Sequence, residues 1–523
     1  MTSGQNTIDP RTPILVGQAQ VAQHKDHLES AAGPIELMSQ AVREAFADAG
    51  IQNPAIKHVT KNARKNAATI DALHVVRSLS TRNTNPARDI ARTLEISANE
   101  YGLTPHGGNM PQYLVNNAAL QIRDNGAQII VLTGGESFRS RRRARAAKIT
   151  LPWMELQENQ EGQEDREGQE GQAPTALGED LVMNHEIELA HNIMLPIEIY
   201  PMFETALRYR DKRTVADHQK YISELWARFS DVAATNPHAW IQQSYTAQAI
   251  RMPTSDNRMI GFPYTKLMNS NNDVDMAAAL VMCSVERAEA LGIARDKWIF
   301  LHAGTDWHEH NFVSHRHTFT ETPAIRIGGQ RVLALAGKSI DEIENLDLYS
   351  CFPSAVQLGA ESLGVSLDRK LTCTGGLSFA GGPFNNYVMH AIATTMTTLR
   401  EKPQETGLVW ANGGYATKHA FGVYATTPPL QGFRHESPQN EVDALPRRSV
   451  ATALEAKGAA TIEAYSVMHD RDGTAEKVRA AVLLADGRRA WATSDNTQLG
   501  QEMCENEWVG KTVTLDATGD IRV

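Results

Sequence analysis

Residues Gly375–Pro383 place four glycines (Gly375, Gly376, Gly381 and Gly382) and a proline in one stretch, and the chain then runs into an apolar, helix-spaced segment through Ala391. Glycines at this density let a backbone turn sharply or approach a ligand closely, because no Cβ intervenes. A helix opening behind such a loop turns its free N–H groups toward whatever the loop holds. Taken alone, the cluster equally suits a tight packing corner with no ligand. Its neighbours point toward a site. Upstream, LDLYSCFPSAVQL (Leu346–Leu358) reads as an apolar strand ending in the polar knot Tyr349, Ser350, Cys351 and then a helix. Downstream, GLVWANGGYATKHAFGVYA (Gly407–Ala425) is again a strand with a glycine pair at its tip. Strand ends that converge in this way are how an α/β scaffold gathers one site from several loops.

The rest of the chain fits such a scaffold. Thr12–Gln20 reads as a buried strand, Gly33–Gly50 as a helix with Ile35, Leu37, Met38, Val42 and Phe46 at helical spacing, and Ile70–Leu79 as a second strand. A helix over Pro111–Asn125 leads to a strand over Gln128–Thr133 tipped by Gly134–Gly135. This alternation predicts a mostly parallel sheet with helices on its faces. The basic run FRSRRRARAAK (Phe138–Lys148) suits either a solvated helix face or arginines for a phosphate. The tract Glu155–Gln172 holds seven acids and one arginine; it cannot bury enough apolar surface to order itself and is expected to be a surface insertion without chemistry. A long helix is expected over Thr214–Ala233. His302, His308, His310, His315 and His317 lack an acidic or cysteine partner at a recognised spacing, so no metal site is expected. Pro428–Arg448 has the composition of a linker. Beyond it, Ala459–His469, Val478–Ala485, Arg488–Ala492 and Gly510–Leu515 are short strands joined by glycine turns, the pattern of a small barrel.

Several function classes drop out. The formal net charge of −10, with no basic face on the barrel, argues against a nucleic-acid partner. No apolar run reaches the length of a membrane span, and the N-terminus lacks a basic and apolar leader, so neither membrane insertion nor secretion is expected. Four scattered cysteines (Cys283, Cys351, Cys373, Cys504) form no disulfide framework and fit a reducing, cytoplasmic setting.

At four places the residues resemble the thiolase superfamily. LDLYSCFPSA is similar to the Asn-Glu-Ala-Phe loop, or to its His-Asp-Cys-Phe form in sterol-carrier-type thiolases. TGGLSFAGGP is similar to the loop Gly-Gly-x-x-x-x-Gly-His-Pro, and WANGGYATKHA to Cys-x-Gly-Gly-Gly. Gly107–Ser137 (GGNMPQYLVNNAALQIRDNGAQIIVLTGGES) resembles the nucleophile loop, its helix and the following strand end. The resemblance spans roughly residues 11–430 and implies an α/β thiolase fold, two βαβαβαββ halves in five αβαβα layers. The halves fall at 1–295, including a loop domain over about 137–270, and at 296–430; a linker (431–449) and a C-terminal domain (450–523) follow. That last domain resembles the OB-fold partners of thiolase-like aldolases, fused here in cis, and the whole pattern resembles the thiolase-like type 1 proteins. A homodimer is an assembly the resemblance allows.

The catalytic residues do not carry over. The nucleophilic cysteine position falls on Asn109, the histidine of Gly-His-Pro on Gly382, and the second cysteine on Ala411. Thiolysis needs a thiolate to take the acyl group and a base to activate it. The resemblance therefore implies an acyl-CoA protein of lipid metabolism, of the acetyl-CoA acetyltransferase type but without the usual Cys/His/Cys set, with a coenzyme A thioester as substrate or ligand and no separate cofactor. Two alternatives stay open: a retro-aldolase on a β-hydroxyacyl-CoA, and a non-catalytic acyl-CoA binder. Candidate catalytic residues are Tyr349, as a proton acceptor if its surroundings lower its pKa; His419, as a base or else a satisfied core histidine; and Asn109 and Asn412, as amide donors to a thioester oxygen. Candidate substrate-binding residues are Ser350, Gly376, Gly381, Gly382, Asn385, His390, Gly413 and Gly414. His390, two turns into its helix, suits a supporting role better than that of a base.

Overall fold

Strands buried on both faces set the architecture. The structure, a computed structural model, describes residues 8–24, 28–51, 70–154, 173–452, 454–516 and 518–522. The acidic tract 155–172 lies outside the described residues.

In the N-terminal half, β1 (Pro13–Ala22), β2 (Ile70–Val75), β3 (Ala98–Leu103), β4 (Ile129–Ser137) and β5 (Asp275–Ser284) pair in the order β3-β2-β4-β5-β1. In the C-terminal half, β6 (Ile299–His308), β7 (Asn345–Leu348), β8 (Thr406–Gly413) and β9 (Lys418–Ala425) pair in the order β7-β8-β9-β6. The halves meet where Ile14 opposes Phe300 and Leu15 opposes Ile299. Outward from that seam both repeat one pattern. β5 and β9 run antiparallel to both of their neighbours, and then β4 and β8 pair in parallel with β2 and β7.

The period of two along each strand feeds two cores. Leu15, Ile130, Leu132 and Leu280 join the central core, whereas Ile14, Val16, Ile129 and Val131 join the outer one. The helix α1 (Pro34–Asp48) covers the outer core with Leu37, Met38, Val42 and Phe46. Its approach requires Gly17, where a Cβ would lie 2.1 Å from the Ala45 carbonyl oxygen. Between the halves lie α2 (Met110–Asn125) and, packed on it, α3 (Tyr387–Glu401); α4 (Pro323–Ala336) covers β6 and β9 from the far side. The result is the five-layered α/β arrangement. β5, β8 and β9 are buried at every position, which is why their sequences read as continuous apolar runs rather than alternating ones.

The C-terminal domain is all-β apart from the helix Thr497–Glu505. β10 (Gly458–His469), β11 (Ala475–Leu484), β12 (Arg489–Ser494) and β13 (Thr512–Leu515) pair as β12-β11-β10-β13, followed by Ile521–Arg522, and a bridge from Thr493 to Asp520 brings the two edges together. The domain is not a loose appendage. Phe262 and Gly261 of the loop domain pair with Val467 and Met468 of β10. The expected linker is also ordered: Arg434–Glu436 pairs with Ala303–Thr305, and Gln439–Asp443 is helical. Arg331 holds this segment down through ion pairs to Glu436 and Glu441, contacts that proline content cannot reveal. Among the described residues no group of side chains could hold a metal ion. His302 and His310 each use Nε2 on a backbone carbonyl.

Candidate functional site

A cavity of about 450 Å³ lies under the ends of β7 and β8 and the loop before α2. Two glycines permit the closeness of these loops. At Gly108 a Cβ would sit 2.4 Å from the Tyr349 hydroxyl and 2.5 Å from the Asn412 carbonyl oxygen; at Gly413 it would sit 2.6 Å from Asn109 Oδ1. The wall is mostly apolar, with Phe352, Leu377 and Phe384 inside. Leu79 and Leu195, 38% and 48% exposed, form an apolar rim.

The polar groups on the wall are specific. Tyr349 is 7% exposed, and its hydroxyl makes no hydrogen bond to another described residue. Burial, then the neighbouring Cys351, push its phenol above the usual tyrosine range. Cys351 is pushed up to about 12 by burial, so it is a thiol rather than a thiolate. Tyr200 enters from α5 (Pro196–Arg210), whose residues Glu198–Arg208 are all buried, and its ring stacks on Phe352 at 4.7 Å (the basic helix Phe138–Ala147 is α6 and Val215–Thr235 is α7). The Tyr200 hydroxyl donates to the Gly414 carbonyl at 3.1 Å and accepts from Asn412 Nδ2 at 2.9 Å and the Ala416 amide at 3.0 Å. His106 also lines the cavity. Asn385 Oδ1 accepts from the Gly107 amide, so its Nδ2 faces the Arg77 carbonyl and His106 Nδ1. An Nδ1 that accepts leaves the imidazole proton on Nε2. Burial, then Arg77, lower the His106 pKa, so the ring is neutral at pH 7.

Behind the wall, Asp347 is fully buried and accepts from the Cys373 amide at 2.9 Å, Thr372 Oγ1 at 3.0 Å and the Tyr387 hydroxyl at 3.0 Å. Burial outweighs these donors and raises its carboxyl to about 6. A raised folded-state pKa gives stability that is fully present below about pH 4 and is lost as pH rises through 6. Asp347→Asn removes that slope. The variant's melting temperature is therefore expected to gain on wild type between pH 4.5 and 7, by the equivalent of on the order of 3 kcal/mol. Parallel melting curves across that range would show that Asp347 does not titrate there.

The structure brings together some of the residues expected from sequence and separates others. Tyr349, Asn412, Asn385, Gly413 and Gly414 line the cavity. His419 does not: its ring lies between Trp307 and Trp410, its Nε2 meets the Ala416 carbonyl, and burial holds its pKa well below the usual range. It is the core histidine, not a base. His390 points to Gln20 Oε1 on β1, away from the cavity, and burial lowers it to about 3. Ser350 Oγ accepts from the Leu377 amide and braces the turn Gly376–Phe379. Gly376 and Gly381 serve packing rather than a ligand: they have positive φ, and a Cβ would meet Phe229 and Met276 respectively. Gly382 faces Asn272. Asn109 stands at the N-cap position of α2 behind the wall, with no side-chain capping bond and with Oδ1 against Gly107 and Gly413. Asn412 gives one of its two Nδ2 hydrogens to Tyr200 and is fully buried, and Asn109 does not line the cavity, so the oxyanion role expected of both asparagines is not what this geometry offers. Nor does Tyr349 meet the condition set for a proton acceptor, since its pKa moves up and not down. His106, Tyr200 and Asn269 line the cavity without having been singled out in the sequence; only His106 carried a signal, its place directly before Gly107–Gly108.

Residues 438–520 match the family described as the thiolase-like protein type 1 additional C-terminal domain. No curated protein matches the chain significantly. Among solved structures, a monomeric SCP2-thiolase like protein type 1 from Mycobacterium smegmatis is 27% identical, with a TM-score of 0.79 over 99% of this chain and 100% of the other. An Ltp2-ChsH2(DUF35) aldolase (18% identity, TM-score 0.56) covers 80% of this chain and 98% of its own, and an acetyl-CoA acetyltransferase from Syntrophomonas wolfei (14%, 0.53) covers 80% and 100%. These last two share the fold. Residues 438–520 thus carry the additional C-terminal domain of the thiolase-like type 1 proteins, and over its full length the chain is similar in structure to one of them.

Proposed function

We propose that the cavity binds the acyl end of a coenzyme A thioester and that the chain acts on it without forming an acyl-enzyme. One observation carries this reading: the loops that frame a thioester site in thiolases frame an apolar-lined cavity here, yet the groups on its wall are un-ionised donors. Tyr349 O–H and His106 Nε2–H can polarise a carbonyl oxygen, while Cys351 stays protonated. The apolar rim at Leu79 and Leu195 suits an acyl chain. Arg141 of α6, bonded to the Leu79 carbonyl, stands at that rim where a coenzyme phosphate would pass. The retro-aldol alternative asks Tyr349 to accept a proton, and the direction of its pKa shift opposes that. Binding of the thioester with its carbonyl polarised by these donors needs no such base. We place the chain in the cytoplasm, in keeping with four free cysteines, and as a single chain, in keeping with the relative described as monomeric. Among the described residues no helix is long and apolar enough to cross a membrane.

Calorimetry and thermal shift with acyl-CoAs of increasing length test the reading. Saturating ligand is expected to raise the melting temperature by a few degrees, following the mass-action stabilisation of about 2.7 kcal/mol at a hundred times Kd. Affinity is expected to be flat from pH 7 to 9, because His106 titrates below this window and Tyr349 and Cys351 above it. Neither heat nor shift with any chain length would overturn the proposal; a steep pH dependence would show that an ionised wall group takes part.

A further inference from the structure

The mouth of the cavity is built differently from its wall. The basic helix α6 runs along it. Phe138, at the start of α6, meets Phe384 of the wall with ring centroids 4.4 Å apart, and Arg141 Nη1 donates to the carbonyl of the rim residue Leu79 at 3.1 Å. Arg142 holds Asp273, the neighbour of the wall residue Asn272, at 2.6 Å. Burial, then Arg145 one turn further along the helix and Arg82 three residues beyond Leu79, lower the Arg141 pKa, so three guanidinium groups lie close together here. Glu136, the acid that acts on Arg141, is 1% exposed and accepts from the Leu79 and Ser80 amides and the Ser78 hydroxyl, so it turns inward. A second stretch of rim is apolar: the wall residues Met183 and Leu195 sit beside Val182 and Met194, which are 67% and 46% exposed. Near it the exposed Asp180 acts on His106 and Lys418, so the mouth also carries negative charge.

Exposed apolar side chains beside a cluster of cations form a contact surface for a macromolecule. A free coenzyme would use the guanidinium groups for its phosphates but would leave Val182 and Met194 in water. An anionic lipid surface would cover the apolar residues and meet the arginines, but it would press the same negative charge on Asp180. A folded protein can set carboxylates against α6 and uncharged residues against the rest of the rim. We propose that the thioester is delivered to this cavity by an acidic carrier protein, which docks on α6 and on the rim at Val182 and Met194 while its acyl-bearing arm enters the cavity. The inference rests on the acyl-thioester reading and names the source of the thioester. The chain's formal net charge of −10 sharpens the match: most of its surface repels an acidic partner, and the arginines at the mouth attract it, which orients the encounter.

Calorimetry of the full chain with octanoyl-CoA, and with an acidic acyl carrier protein bearing the same octanoyl thioester, tests it. At low salt the loaded carrier is expected to bind about tenfold more tightly than octanoyl-CoA, and high salt should remove that margin. Arg145→Glu and Val182→Asp, both at exposed positions, should each weaken the carrier about tenfold while leaving octanoyl-CoA within about twofold of wild type. A carrier that binds no more tightly than octanoyl-CoA, or a margin that survives both variants, overturns this inference alone. So does an Arg145→Glu protein in which both ligands weaken equally, a result that would give the arginines to the coenzyme's phosphates. Binding of phosphatidylglycerol vesicles that is lost in Arg145→Glu, with no margin for the carrier, would make the partner a lipid surface and overturn it too. Absence of heat with octanoyl-CoA and loaded carrier alike overturns the acyl-thioester reading and this inference with it.

Discussion

Arg489→Met is expected to cost the protein about 3–5 kcal/mol, the penalty for breaking a buried ion pair from one side. Arg489 is fully buried on β12, and its guanidinium joins the C-terminal domain to the thiolase-like core. Nε and Nη2 reach both oxygens of Glu463 at 2.8 Å, a bidentate pair. Nη1 donates to the carbonyls of Ser314 at 2.7 Å and Arg316 at 2.6 Å. Methionine fills similar space but leaves the Glu463 carboxylate and these carbonyls without partners. Trp491 Nε1, bonded to Ser314 Oγ, and the buried Glu188, which accepts from the same serine, keep the segment in place and so prevent it from relaxing toward water. Arg489→Lys should recover little, since an ammonium cannot match both the fork and the carbonyls. A melting temperature within a degree of wild type for Arg489→Met would show that strand pairing at Val467–Phe262 and the Tyr465 contacts hold the domain alone.

The fold was legible because its strands are covered on both faces, and continuous apolar runs such as Leu408–Ala411 leave few other choices. The site was legible only at strand ends. Tyr349, Asn412 and Gly413 fall where β7 and β8 run out, and there position along the chain nearly dictates position in space. One residue of register separates success from failure on β9. Lys418 faces the cavity side, with Nζ on the His106 carbonyl, whereas His419 turns to the opposite face and lies between two tryptophans. Period-two alternation was hidden there because both faces are apolar. Tyr200 was hidden for the same reason: α5 is buried all round, so no amphipathic stripe marks which residue looks into the cavity. The glycines Gly375 and Gly376 show a different limit. Their positive φ values were implied by composition, but whether the space they open holds a ligand or a neighbouring helix is decided by Phe229 and Ala233, some 140 residues away in sequence.

Thiolysis of acetoacetyl-CoA by the wild-type protein is expected to be undetectable, and Asn109→Cys is not expected to restore it. Asn109 occupies the nucleophile position, Gly382 and Ala411 those of the histidine and second cysteine, and none of the three lines the cavity. The native cysteines are no substitute, since burial pushes Cys283, Cys351, Cys373 and Cys504 each up to about 12. No acetylated protein should therefore appear by mass spectrometry after incubation with acetyl-CoA. The variant separates two requirements that thiolases meet together. Asn109 stands at the N-cap position of α2 without a side-chain capping bond, and the helix N-terminus lowers the pKa of a thiol placed there. Cysteine is smaller than asparagine, so it fits the space against Gly413. Asn109→Cys should accordingly react with iodoacetamide where wild type does not. Turnover also requires a base to activate the incoming thiol and an acid for the leaving group, each contributing typically 10²–10⁴-fold. Gly382 has no side chain for either task, Ala411 only a methyl, and the neutral His106 has its Nδ1 committed to Asn385. An alkylatable but non-thiolytic Asn109→Cys protein would place the defect in the missing base. Robust thiolysis by wild type, or by the variant, would mean that a wall group such as His106 serves as that base and that the un-ionised description of the cavity is wrong.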